Sequence, residues 1–457
     1  MEFCGQASER NDASLLGKKL DLLLFTGQLL IQSLADSNRI DRNLRRVAVF
    51  MGIPESKFHM HITYTTLMIN ISEGDRSITK FRKCHNHSVN MTVLSEISKL
   101  TWRALEQKYT LSQYEHDLNG IASAKRNYPR WLVVVAVGLA CGCFCKLFGC
   151  DWPAAGITSV ASAVALFARQ EMHNRWWNKY ITVAVSSFIA VLIASLFTFL
   201  HISDTPYHPI FACVLFLIPG VPLINSLDDM IDGFTIVGVT RALIAGLTIG
   251  SIAFGMLFAL KILDFHDYTA SLVPQHHWVI IGLAAAFAAL GFAVLFNVPV
   301  HTLVVCAAGG AATVVTRNVL MYNFDLSLSL SSFCGALMVG LTSIYMVHKV
   351  HVPAHVISIP PIIPMVPGVV MYQAVIGAVS LNANAPAAEQ LPVLIQTFDA
   401  LVKGSMTLLA LSLGIAIPNI LGRIYSARLK QRRMAQALNN GHKEMSPRMF
   451  GLHDDRT

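Results

Sequence analysis

The sequence predicts an α-helical polytopic membrane protein: ten transmembrane helices form two inverted five-helix repeats, and a cytoplasmic α+β domain precedes them. Three observations predict this fold. The 457 residues are 54% hydrophobic and only 14% charged, whereas soluble domains carry about 25% charged residues. Long apolar runs fill residues 131–422. Within these runs, an unusual Pro-Gly-Val motif occurs twice.

Residues 1–130 have the mixed composition of a water-soluble domain. Leucines at helical spacing predict a helix over 15–36, and a second, short helix is expected over 39–51. Residues 57–83 alternate apolar and polar side chains around Glu73-Gly74-Asp75, which predicts a β-hairpin. Helical patterns then return up to the first apolar run. The pattern therefore indicates an α+β domain. Because this domain contains no obvious pair of nucleophile and base, we expect it to have a regulatory or assembly role.

The position of this domain follows from the first residues and from the charges. The chain starts with charged residues such as Glu2 and Arg10 and lacks the apolar core of a secretory signal peptide. We therefore expect the domain in the cytoplasm. The net charge of +8 comes from short basic clusters beside apolar runs, which is typical of the cytoplasmic face of a membrane protein. Nucleic acid is not an expected partner.

Ten apolar runs are each close to the roughly 20 residues that a helix needs to cross a bilayer. The repeats span 131–262 and 277–422, and a basic tail covers 423–457. Loops such as HISDTPYH lack Lys and Arg, whereas basic residues flank the first and last runs, which places both termini in the cytoplasm of a bacterial inner membrane. The runs cover residues 131–149, 153–169, 179–201, 209–231, 236–262, 277–296, 300–317, 327–347, 355–380 and 395–422.

The fourth and ninth runs contain the two Pro-Gly-Val motifs, at 219–221 and at 367–369. Proline removes a backbone donor and glycine relaxes the chain, so each helix is expected to break there. The motifs are 148 residues apart, and Arg169 and Arg317 are separated by the same distance. A duplicated unit of five passes is odd in number, so its second copy enters the membrane inverted. Paired broken helices in inverted repeats are typical of secondary transporters, although a channel remains an alternative.

The run LIPGVPLINSLDDMIDG resembles the signature of the threonine/serine exporter family, and Arg241 follows it at a position where relatives also tend to carry arginine. The segment before the first pass and residues 277–422 are also similar to this family. The resemblance implies export of threonine and serine driven by protons. Because two-chain relatives are linked to succinate, a dicarboxylate exporter is the alternative, and a membrane-embedded hydrolase is less favoured. The signature positions are matched by Pro219, Gly220, Pro222, Asn225, Asp229 and Gly233.

The candidate site combines the two motifs with the polar residues that follow them. Asp229 lies one helical turn beyond Asn225, so an intramembrane carboxylate could carry the proton. The alternative is that Asp228, Asp229 and Asp232 lie at the cytoplasmic helix end, either solvated or paired with Arg241. Asp228, Arg241, Arg169 and Arg317 are expected to supply supporting charge. The solute is expected to bind at Pro219, Gly220, Asn225, Pro367, Gly368 and Gln373, although the second copy has Gly377 where the first has Asp229.

The remaining reactive side chains are not expected to hold a metal or a cofactor. Four cysteines in CGCFCKLFGC point in different directions on a helix, which favours a packing role. His348, His351 and His355 can share a face of a short helix, where a pH-sensing or metal role is an alternative, but we interpret them as ordinary loop and surface histidines. The expected partners are thus a small polar solute, protons and the lipid bilayer, with a homo-oligomer as an open alternative.

The charge pattern makes a prediction about topology. Reporter fusions after Lys179 and after Arg433 should report the cytoplasm, and a fusion within 383–392 should report the periplasm, because only the first two sites are rich in basic residues. Paired phosphatase and fluorescent-protein fusions would measure this. A cytoplasmic signal from the fusion within 383–392 would contradict the ten-pass topology and the inverted repeat with it.

Overall fold

A computed structural model describes residues 2–73, 76–107, 109–199, 202–263, 277–350, 352–381 and 387–445. These residues form two units. The N-terminal unit extends to Lys125 and also includes the short segment Ile231–Val237 and the described residues after Asn419, whereas the helical unit comprises Arg126–Met230 and Gly238–Asn419.

The N-terminal unit combines helices with a small antiparallel sheet. Its elements are α1 (Glu2–Gln32), α2 (Ser37–Phe50), β1 (Phe58–Ile62), β2 (Thr66–Glu73), β3 (Arg76–Lys83), α3 (Met91–Glu106) and α4 (Leu111–Ser123). The sheet has three strands in the order β1-β2-β3, whereas the sequence predicts a two-stranded hairpin. The additional turn forms because the hydroxyl of Thr63 accepts a hydrogen bond from the amide of Thr66 at 2.9 Å. A side-chain bond of this kind favours a turn over a continuous strand.

The core of the N-terminal unit lies between α1 and one face of the sheet. Leu67, Ile69 and Ile71 alternate along β2 and are at most 2% exposed. Alternate residues of a strand point to the same face, so these three form one apolar surface. Gly27 of α1 lies directly over Leu67, and a Cβ at this position would overlap with the leucine side chain. The glycine therefore sets how closely the helix approaches the sheet.

The helical unit contains the apolar half of the chain. In the described residues, seven helices are long and apolar enough to cross a membrane, and a bent helix pair raises the number to eight. The helices are α5 (Arg130–Leu147), α6 (Trp152–Asn174), α7 (Lys179–Phe199), α8 (His208–Ala212), α9 (Gly220–Ile231), α10 (Thr235–Ile262), α11 (Trp278–Leu295), α12 (Leu303–Asn323), α13 (Leu328–Val350), α14 (Ala354–Ile362), α15 (Gly368–Leu381) and α16 (Ala387–Met445).

A helix occupies the place of every predicted pass, but the number of ten crossings stays a prediction. The second pass corresponds to α6, which is long enough to span but is rich in alanine and serine, so it does not rank among the strongly apolar helices. The ninth corresponds to two short helices, α14 and α15, on either side of a break.

Helices α5 and α11 end in the same backbone motif, 148 residues apart. Gly149 and Asn297 follow the two helix ends with φ angles of 89° and 53°. The amide of Cys150 donates to the carbonyl of Cys145 at 3.3 Å, and the amide of Val298 donates to the carbonyl of Ala293 at 3.0 Å. Both ends are thus Schellman caps, which close a helix with a left-handed residue.

These two helices pack against each other in antiparallel directions. Just before α5, the amide of Asn127 donates to Oδ1 of Asn297 at 2.9 Å, and the hydroxyl of Tyr128 donates to the carbonyl of Val298 at 2.7 Å. The start of α5 therefore lies beside the end of α11. Farther along, Phe144 and Phe292, which are also 148 residues apart, meet edge to face with ring centroids 5.7 Å apart.

Close packing of α5 on α11 depends on Gly291, which makes a stability prediction. A Cβ there would lie 2.6 Å from Cβ of Ala140 and 2.5 Å from the carbonyl oxygen of Ala136. Gly291→Ala should therefore destabilise the protein by about 1–3 kcal/mol through overpacking. The control is Gly246→Ala on α10, where an added Cβ meets nothing within 4 Å. Thermal unfolding in detergent would compare them, and equal midpoints would contradict this packing.

Candidate functional site

Two broken helices form the centre of the candidate site. In the first, α8 and a 3-10 turn (Leu215–Leu217) lead to Pro219, and α9 starts again at Gly220. The two parts are bent by 57°. In the second, α14 and a 3-10 turn (Ile363–Met365) lead to Pro367, and α15 starts at Gly368. Both helix breaks occur where the sequence predicts them.

The two breaks have the same backbone geometry. Ile218 has φ −61° and ψ 127°, and Val366 has φ −60° and ψ 125°. Each residue precedes a proline, and the proline ring disfavours helical angles at that position. In each break the amide of the glycine donates to the carbonyl two residues earlier at 2.8 Å. The prolines thus fix one local conformation at both places.

The breaks also pack against each other reciprocally. A Cβ on Gly220 would lie 2.8 Å from Cδ1 of Ile363, and a Cβ on Gly368 would overlap with Cδ1 of Ile218. Glycine is required at both positions because each side chain would occupy the space of an apolar residue from the other break. The structure therefore brings the two motifs, Pro219-Gly220 and Pro367-Gly368, together, and a solute site between them stays a prediction.

The space between the breaks is almost closed. A cavity of about 10 Å³ lies there, which is roughly the space that a single water needs. It has no room for an amino acid, so solute binding at the breaks requires the two helix pairs to move apart. The lining residues are apolar or glycine: Phe144, Leu215, Ile218, Gly220, Ile363 and Val366.

The polar candidates lie beyond the breaks on the two continuing helices. Asn225 on α9 is only 2% exposed, and Gln373, its counterpart on α15, is half-buried. At the next matching position, Asp229 on α9 corresponds to Gly377 on α15, and Thr397 of α16 packs tightly against that glycine. The second helix therefore leaves no space there for a carboxylate.

Asp229 is paired with an arginine. Its Oδ2 lies 3.3 Å from Nε of Arg241 on α10, and the side chains are 1% and 3% exposed. Arginine stays charged in proteins, so its guanidinium compensates the buried carboxylate. This geometry supports the alternative in which Asp229 and Arg241 form a structural ion pair. The proton-carrying role of Asp229 stays a prediction.

Asp228 has a different partner, which the sequence does not reveal. Its Oδ2 lies 3.6 Å from Nε2 of His355, near the start of α14, and the side chains are 8% and 12% exposed. The interpretation of His355 as a surface histidine is therefore wrong, because the folded chain buries it. The only sequence signal is its place among three closely spaced histidines, and nothing in that spacing indicates Asp228.

The other charged candidates have contacts different from the Asp229–Arg241 and Asp228–His355 pairs. Arg169 on α6 and Arg317 on α12 are half-buried, and Nε of Arg317 donates to Oδ1 of Asn318 at 3.2 Å. Asp232 belongs to the N-terminal unit, where its Oδ2 accepts a hydrogen bond from Nδ2 of Asn38 at 2.8 Å. Supporting roles for the two arginines stay predictions.

A cavity of about 690 Å³ in the N-terminal unit bears on the hydrolase alternative. Lys80 pairs with Asp21 at 2.9 Å, and Lys18 pairs with Glu115 at 2.7 Å. Among the described lining residues there is no serine, threonine, cysteine or histidine that could act as nucleophile or base. The lining consists of Gly17, Lys18, Asp21, Leu22, Phe25, Lys80, Arg82, Glu115 and Asn119.

Comparison with known proteins accounts for both halves of the chain. Residues 21–263 match the ThrE model of the threonine/serine exporter family, and residues 282–421 match its second model, ThrE_2. No solved structure matches the chain.

Curated relatives match as well. The chain is 32% identical to the "Probable succinate transporter subunit YjjP" of Escherichia coli (strain K12), over 53% of this chain and 93% of that protein. The protein of the same name from Klebsiella aerogenes is 31% identical, over 50% and 88%. An "Uncharacterized protein" of Haemophilus influenzae is 21% identical over 87% of this chain and 92% of its own length.

These matches confirm the resemblance noted from the proline-glycine signature, and they cover most of the helical unit and most of the N-terminal unit. The chain belongs to the threonine/serine exporter family of membrane transporters, with the family's two modules fused in one polypeptide.

Proposed function

We propose that this chain is a secondary transporter that exports small amino acids, threonine and serine first, and that the proton gradient drives the export. The observation that carries this proposal is the reciprocal packing of the two proline-glycine breaks. Glycines at matching positions each face an apolar residue of the other break, an arrangement that a two-fold relation between repeats produces. Secondary transporters bind solutes between broken helices of this kind.

An inverted repeat is part of the proposal. It is supported by the antiparallel contact of α5 with α11 and by the matching Schellman caps at Gly149 and Asn297. In an inverted repeat, equivalent helices run in opposite directions across the membrane. On this basis we propose ten crossings in a bacterial inner membrane, with both termini in the cytoplasm.

The site is suited to a solute that carries a carboxylate. Helices α9 and α15 begin at Gly220 and Gly368, and the first turn of a helix carries a partial positive charge that favours a carboxylate. An amino acid and a dicarboxylate share this chemistry. The relatives named as succinate transporter subunits therefore keep a dicarboxylate exporter as the second candidate.

Transport by the purified full-length chain in proteoliposomes tests the proposal. With an imposed pH gradient, labelled threonine and serine should move faster than succinate and faster than in protein-free vesicles. Faster movement of succinate would replace the substrate assignment with the second candidate. If none of the three solutes moves above background, with or without a gradient, the proposed function is wrong.

The glycines at the breaks make a further prediction. Gly220→Leu and Gly368→Leu should reduce transport to the background of protein-free vesicles, because each side chain would fill the space between the breaks. Membrane fractionation should still find both variants in the membrane. The matched control is Gly250→Leu on α10, where an added Cβ meets nothing within 4 Å. Normal transport by either break variant would mean that the motifs only kink the helices.

A further inference from the structure

The contact between Asp228 and His355 joins elements from the two halves of the helical unit. Asp228 lies on α9, which continues from the first break, and His355 lies on α14, which leads into the second break. The atoms Oδ2 and Nε2 are 3.6 Å apart, and both side chains are mostly buried. Any movement that separates the two broken helices would therefore break this contact.

The carboxylate next to Asp228 along α9 already has a basic partner. Asp229 on α9 pairs with Arg241 on α10 at 3.3 Å, and arginine keeps its charge at every physiological pH. The charged contacts described here pair Asp228 on α9 with His355 on α14, and the adjacent Asp229 with Arg241 on α10. Of the side chains Arg241 and His355, histidine is the type that gains and loses its charge near neutral pH.

A buried carboxylate is stable as an ion only beside a positive charge. When His355 carries a proton on both ring nitrogens, it supplies that charge to Asp228 across the two halves. When His355 is neutral, the contact between the halves loses its ionic component. The protonation state of one imidazole is therefore coupled to the position of α9 relative to α14.

We propose that Asp228 and His355 together are the proton-carrying pair of this transporter. His355 takes up one proton on its ring, and Nε2–H then faces the carboxylate of Asp228. The proton returns to water when the two broken helices separate and expose the imidazole, and no bond to the solute forms. This assignment rests on the proposed function and replaces Asp229 with the adjacent residue as the coupling carboxylate.

The test uses full-length protein in proteoliposomes and measures two activities, solute exchange without a gradient and transport driven by a pH gradient, between about pH 5 and pH 8. His355→Gln and Asp228→Asn should lower gradient-driven transport by about tenfold or more and flatten its pH profile. Exchange should remain, because solute binding does not require the proton. His355→Lys keeps a positive charge beside Asp228, so it should fold and exchange solute without coupling to the gradient.

Asp229→Asn is the comparison variant. We expect it to lower both activities together, because it leaves Arg241 buried without its carboxylate. The proposal is overturned if His355→Gln and His355→Lys keep gradient-driven transport with the wild-type pH profile. It is also overturned if Asp229→Asn alone loses the gradient response and retains exchange. Failure of the proposed function looks different, because the wild-type protein would then move none of the solutes.

Discussion

The helical unit depends on one constraint, which is that a helix broken within a membrane leaves backbone groups that lipid cannot hydrogen-bond. In the first break the amide of Gly220 bonds to the carbonyl of Ile218, and α9 starts again with a bond from Leu223 to Pro219. The second break repeats this arrangement and lies directly against the first. Each break thus covers the other with protein, which explains why the motif occurs twice and why both copies need glycine.

The two breaks share this backbone geometry but differ in the charges that follow them. Carboxylates follow the first break near the end of α9, where the helix dipole is negative and does not favour them. Their basic partners come from other helices, Arg241 for Asp229 and His355 for Asp228. At the matching place on α15, Gly377 packs closely against α16 and leaves no space for a carboxylate. Carboxylates therefore follow the first break, on α9, whereas the described residues of α15 after the second break include no Asp or Glu.

Much of the fold could be predicted because its signals are local. Apolar runs mark the helices of the helical unit, and proline followed by glycine marks both breaks. The alternating pattern of residues 57–83 marks a sheet. The third strand was missed because a side-chain bond between Thr63 and Thr66 turns the chain within that alternating stretch. Helix α6 is rich in alanine, and small side chains suit helix packing more than contact with lipid, so its composition differs from that of the strongly apolar helices.

The sequence by itself determined where the helices break, that the Pro-Gly-Val motif recurs at an offset of 148, and that Asn225 and Asp229 share a helix face. These properties follow from the rigid ring of proline, the helical period and the comparison of one segment with another. Only the tertiary structure decided which partner each buried carboxylate has. His355 lies more than a hundred residues from Asp228, and neither residue differs in sequence from an ordinary surface charge. The packing of α14 beside α9 removes water from both side chains and brings them within 3.6 Å, and no local pattern encodes that distance.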